Sequence, residues 1–126
     1  MFKNIKEFEQ LASLLLTSGL QVHVFQLQTK SFAEHMALGT FYDEIVDLSD
    51  ALIEDFQGQY GVLQKYESFI IKSYVDKNTT LAYFDNLRSN VQKLRTTVSE
   101  DSNLQNQIDN IITLINSTVY KIKNLS

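Results

Sequence analysis

The sequence predicts an all-α protein, an antiparallel bundle of four long helices with a short extra helix in a long connection. Three observations carry this expectation. Proline is absent and only 4 glycines punctuate the 126 residues, whereas strands need turns and turns draw on both residue types. Apolar residues recur at steps of three and four along most of the chain, the period of a helix with one face turned inward. The composition, 44% apolar and 21% charged, is that of an ordinary soluble domain able to bury a core without staples. Residues 1–126 are therefore read as one domain.

The first helix is expected from Asn4 to Gln28, where Phe8, Leu11, Leu15, Val22 and Phe25 form the stripe and Leu16, Leu20 and Leu27 widen it. A tight turn is placed at Thr29 to Ser31, because Ser31 and Glu34 fit a capping box opening the next helix. That second helix runs from Phe32 to about Gln57, with Phe32, Met36, Tyr42, Ile45, Val46, Leu52, Ile53 and Phe56 as apolar positions and the pair Gly58 and Gly61 as its stop. From Tyr60 to Lys77 the periodicity is mixed, which reads as a short helix within a long crossover. Asn78, Thr79 and Thr80 are the candidate cap of the next long helix, whose stripe is Leu81, Phe84, Leu87, Val91, Leu94 and Val98. After a polar break at Ser99 to Ser102, with Asp101 and Ser102 as capping candidates, the last helix carries the cleanest stripe: Leu104, Ile108, Ile111, Ile115, Val119 and Ile122. Lys121 and Lys123 at its end suit the negative pole of the helix dipole.

Several function classes are excluded at this level. The chain has no cysteine, so disulfide frameworks and thiolate metal sites do not arise. Its longest apolar run, Leu11 to Leu16, is too short for a membrane span, and charged residues at Lys3, Lys6 and Glu7 stand where a signal peptide would be apolar. A cytoplasmic protein is expected, or one packaged from the cytoplasm. The net charge is −4 and the basic residues are scattered, which gives no footprint for nucleic acid. Phosphate loops and nucleophile elbows are missing as well.

What remains is a metal-ligand pattern. The two histidines, His23 and His35, flank the proposed turn, and Asp50 and Glu54 stand four apart on the second helix so that both carboxylates share a face. Two imidazoles and two carboxylates suit Fe²⁺ or Zn²⁺. His35 and Asp50 are, however, 15 residues apart on one helix, or ~22 Å. One chain cannot bring all four groups to one ion through that helix. Two copies packed antiparallel about a two-fold can, so a metal site implies an isologous homodimer with two equivalent sites.

The spacing of His23, His35, Asp50 and Glu54 resembles the ferroxidase ligand pattern of the Dps-type miniferritins, and Ile71-Lys72-Ser73-Tyr74 resembles a stretch preceding their third long helix. The stretch from Gln26 to His35 and Ala37-Leu38-Gly39 resemble an uncharacterised ferritin-like family of bacteriophages. The resemblance implies a ferritin-like bundle, an oligomer built on a two-fold dimer and extended to a higher shell, and an iron site between subunits. The departures are specific. Gly39 stands where miniferritins carry a further acidic ligand, with Asp43 one turn on as a weak substitute, and Val24 stands where they carry tryptophan. A basic N-terminal tail for DNA is missing too, so any ferroxidase activity would rest on an incomplete site.

Each candidate also has a plain structural role. His23, between Val22, Val24 and Phe25, suits a satisfied core histidine; Asp50 and Glu54 alone are ordinary solvated acids. Tyr42, Tyr60 and Tyr66 are the tyrosines nearest the ligands in sequence, with packing as the plain role and redox chemistry as the sharper one. Two classes of function follow: an oligomeric protein that binds ferrous iron, with at most a ferroxidase-like activity, or a non-enzymatic structural or accessory component of a bacteriophage that keeps the bundle as an oligomerisation module.

Overall fold

The computed structural model describes residues 5–98 and 100–126. Among them every regular element is a helix: α1 (Ile5–Gln28), α2 (Phe32–Tyr60), α3 (Lys77–Val98) and α4 (Ser102–Asn124). The expected first residue Asn4, the break residue Ser99 and the side chain of Val98 lie outside the description.

The turn at Thr29 to Ser31 forms where the capping residues placed it. Ser31 accepts the Glu34 amide through its hydroxyl at 3.2 Å, which satisfies one of the orphan donors of α2. The reciprocal half of the capping box does not form. The Ser31 amide donates instead to Thr29 Oγ1, while the Glu34 carboxylate accepts the Tyr74 hydroxyl at 2.8 Å and the Thr29 hydroxyl at 3.4 Å. α2 runs on to Tyr60, with Gly58 inside it, and stops at Gly61, whose φ of 102° is a conformation that favours glycine. α3 begins earlier than the Asn78–Thr80 cap predicts. Asp76 is the capping group: its carboxylate accepts the Thr79 amide at 2.7 Å, which holds that carboxyl below its ordinary range.

α1 packs on α2 and α3, and α4 packs on the same two, leaving α1–α4 and α2–α3 as diagonals. Phe25 near the end of α1 meets Tyr83 near the start of α3, and Gln59 and Tyr60 at the end of α2 donate to Asp101 at the start of α4. All neighbouring helices therefore run antiparallel, while α2 and α3 run the same way. This order decides the crossover. The 29 residues of α2 are ~43 Å long, and residues 61–76 must return along the bundle; as a helix they would cover only ~24 Å, extended they cover ~50 Å. The expected short helix is therefore absent, and residues 61–76 form an extended strap.

A strap has no ladder of its own, so its backbone groups need other partners. α1 provides them. Glu9 accepts the amides of Gln64 and Lys65, Ser13 accepts that of Glu67, and Gln28 accepts that of Tyr74. Gln21 forks onto Lys72, accepting its amide at 2.7 Å and donating to its carbonyl at 2.8 Å.

One core joins the helices, with Phe8, Phe41, Phe56 and Phe84 among its fully buried side chains. Phe8 stacks on Phe56, and Phe41 meets Phe84 edge-on at 5.1 Å across a diagonal. Leu16, Leu20, Leu27, Phe32, Met36 and Val46, all counted in the apolar stripes from their spacing, are exposed instead. No helix among the described residues is long and apolar enough to cross a membrane.

Candidate metal centre on the first hairpin

Gln26 sits in the last turn of α1, where carbonyls lack an intrahelical partner. One of these is taken by a histidine: His35, at the first turn of α2, donates from Nδ1 to the Gln26 carbonyl at 2.9 Å. The Gln26 side chain reaches the other way along its own helix, and His23 Nδ1 lies 3.2 Å from its Oε1. One residue thus meets both imidazoles at Nδ1. With Nδ1 as the donor in each ring, Nε2 is the nitrogen that keeps its lone pair in both. Both rings are half-buried, and His23 stacks on Tyr42 with centroids 4.3 Å apart.

Gly39 faces the same amide. A Cβ built there would stand 2.5 Å from Gln26 Nε2, so the space an acidic side chain would need at this position holds the Gln26 carboxamide. Asp43, the possible substitute, is exposed on the outer face of α2.

Asp50 and Glu54 are likewise exposed on α2, at ~22 Å and ~28 Å from His35 along the helix axis. The chain therefore gathers His23 and His35 around Gln26 and leaves the two carboxylates far down the same helix. Among the described residues no group of three or more His, Cys, Asp or Glu side chains is placed to hold a metal ion. The chemistry of the two halves, neutral imidazole and carboxylate, fits Fe²⁺ or Zn²⁺ only if a second copy contributes the other half.

The remaining tyrosine candidates have other roles. Tyr60 donates to Asp101 and so ties α2 to α4, and Tyr66 is half exposed on the strap. Sequence reasoning missed Gln26, although its position three residues after His23 places the two on one helix face. It also missed Tyr74 as a partner of Glu34. Burial pushes the Tyr74 phenol up, and the neighbouring Glu34 carboxylate adds to the shift.

No curated protein and no solved structure matches the chain. A family model described as a family of unknown function (DUF5856) matches residues 26–122, which include Gln26, His35, Gly39, Asp50 and Glu54 but not His23. Because that match covers well over half of its length, the chain belongs to the DUF5856 family.

Proposed function

We propose that this protein is a ferritin-like, self-associating four-helix bundle that binds a divalent cation, iron or zinc, between two copies of the chain. The ferritin-like assignment is supported by two antiparallel hairpins joined by a crossover that runs the length of the bundle. The observation that carries the cation reading is the pinning of both histidines by Gln26. Ligating histidines characteristically donate their other ring nitrogen to a carbonyl or amide oxygen, which fixes the tautomer and aims the free nitrogen. Here one residue does this for both rings. His23 and His35 of one copy and Asp50 and Glu54 of the other would hold the ion. A ferrous ion would supply one-electron chemistry there, and a zinc ion a redox-silent bridge.

Anaerobic titration of the purified protein with Fe²⁺ or Zn²⁺, followed by elemental analysis, tests this. Near-stoichiometric binding that is lost in both His23→Ala and Asp50→Asn supports the reading. Failure to bind, or binding indifferent to both substitutions, overturns it.

A second reading is favoured by Gly39, which offers no side chain where a further ligand would stand and is covered by the Gln26 carboxamide instead. In it the bundle is a structural or accessory component, such as a bacteriophage assembly protein, and the histidines only cap and pack the first hairpin. An oligomer of wild-type mass formed by a His23→Ala, His35→Ala double variant would favour that reading.

A further inference from the structure

The outer face of α2 carries a row of carboxylates. Asp43, Asp47, Asp50 and Glu54, all exposed, follow at steps of four, three and four, so they lie along one side of the helix. Over its 29 residues α2 has no lysine or arginine. Beside the row lies a small apolar patch made by Leu16 and Leu20 of α1 and Val46 of α2, exposed by 44%, 54% and 42%. Gly19 of α1 lies against Val46 of α2, since a Cβ there would stand in ordinary contact at 3.9 Å from Val46 Cγ2.

Val46 is also the midpoint between the two half-sites. Tyr42, on which His23 stacks, and His35 lie on one side of it, and Asp50 and Glu54 on the other. Along the helix Tyr42 and His35 lie ~6 Å and ~16 Å from Val46 on one side, and Asp50 and Glu54 ~6 Å and ~12 Å on the other. A two-fold axis through Val46 therefore sets Tyr42, with His23 stacked on it, level with Asp50 of the other copy, and leaves His35 nearest to Glu54 of that copy. The same axis brings the two copies of Asp47 face to face, with Asp43 beside them. Three aliphatic side chains fall far short of the ~800 Å² per partner that a stable interface needs, and facing like charges oppose it further.

We propose that self-association of this chain is conditional on a divalent cation with affinity for imidazole. Stripped of the cation, the acidic rows keep the copies apart. With the cation bound, each ion ties His23 and His35 of one copy to Asp50 and Glu54 of the other and offsets the charge of the rows. The inference rests on the metal-binding reading above and adds that the ion is the switch for assembly. Its occupant is a second copy of the chain, since the face presents both halves of the ligand set in two-fold order. Magnesium, which prefers oxygen donors and holds its water, should not replace zinc. Sodium chloride screens the rows but bridges nothing.

The experiment is sedimentation equilibrium on the full chain in EDTA, then with one equivalent of Zn²⁺, with Mg²⁺, and with 0.5 M NaCl, alongside the zinc content of each sample. The expected result is a monomer in EDTA, in Mg²⁺ and in NaCl, and a dimer with at least ten-fold tighter Kd in Zn²⁺, absent in His35→Ala. Asp47→Asn, a surface change outside the ligand set, should tighten association in EDTA while leaving zinc binding intact. An equal dimer in EDTA, or the same dimer produced by NaCl, overturns this inference while leaving the metal-binding reading standing; zinc bound to a chain that stays monomeric overturns both, because the proposed site needs two copies. No zinc bound overturns the metal-binding reading itself.

Discussion

Replacing Gln21 by methionine isolates the energetics of the strap. Gln21 is 3% exposed in α1, and its carboxamide forks onto Lys72 with bonds of 2.7 and 2.8 Å. This pair imitates one rung of a β-ladder, supplied by a side chain instead of a strand. Methionine keeps the length and apolar stem of glutamine but loses both bonds. At ~1 kcal/mol net for each bond, the loss is about 2 kcal/mol. Lys72 is exposed, so water re-solvates its freed groups and the full penalty of a buried orphan does not apply. With unfolding entropy near 2.1 cal/mol/K per residue, 2 kcal/mol lowers Tm by about 8 °C in a domain of this size. The effect should be local first. Hydrogen exchange at the Lys72 amide should accelerate strongly, and exchange at Glu67 and Tyr74, held by Ser13 and Gln28, should follow to a smaller degree. A Gln21→Met protein that melts within 2 °C of wild type and keeps the Lys72 amide protected would refute the account of the strap as held by α1 side chains.

Other perturbations test the core and its polar groups. Phe41→Ala empties a fully buried site against Phe84 and should cost about 3–5 kcal/mol in guanidinium unfolding. Ser49 is 1% exposed with a hydroxyl that has no hydrogen-bond partner, so Ser49→Ala should raise stability by about 1 kcal/mol; a loss of stability would show that the hydroxyl is satisfied in solution. Burial pushes the Tyr83 phenol well above the ordinary tyrosine range. A folded-state pKa raised above the unfolded value of about 10 gives stability that is complete below pH 10 and is lost as pH rises above it. Urea unfolding at pH 11 should show wild type losing about 1.4 kcal/mol relative to pH 9 through this group, and Tyr83→Phe should lack that loss.

The helices were legible because their causes are local. The Ser31 hydroxyl bonds an amide three residues away, so the first hairpin turn could be placed to the residue without a proline or glycine to mark it. The crossover was not legible, because its conformation is set by distance and by α1. Residues 61–76 read as mixed periodicity since they have no helical face to present; the groups that satisfy them lie about 50 positions earlier in the chain. Periodicity also failed to separate core from outer surface. Leu16 and Leu20 recur at helical spacing like Leu11 and Leu15, yet the first pair is exposed and the second buried. A stripe wider than one core face is the sequence signal that a helix has apolar business on two sides. For the candidate site, the His23 and His35 spacing was readable, whereas the occupation of the space over Gly39 by Gln26 depends on how two helices meet.

The sequence of α1 makes sense when its whole circumference is considered. Between Glu9 and Lys30 it carries no Asp, Glu, Lys or Arg, unusual for a helix with only one face in the core. Its core side holds Leu11, Leu15 and Val22, fully buried or nearly so. A second flank is turned to the strap, and Ser13, Gln21 and Gln28 there are neutral groups that give or accept bonds without the desolvation cost of a charge. That leaves the side of Leu16, Leu20 and Leu27, where a helix facing only water would be expected to place charged residues. Its aliphatic character is unexplained within one chain, because the strap covers the neighbouring flank and α2 closes the other. The neutral length of α1 and the acidic row of α2 thus meet along one seam, apolar on one side and charged on the other. Such a seam suits a face that another copy covers only once its charge has been answered.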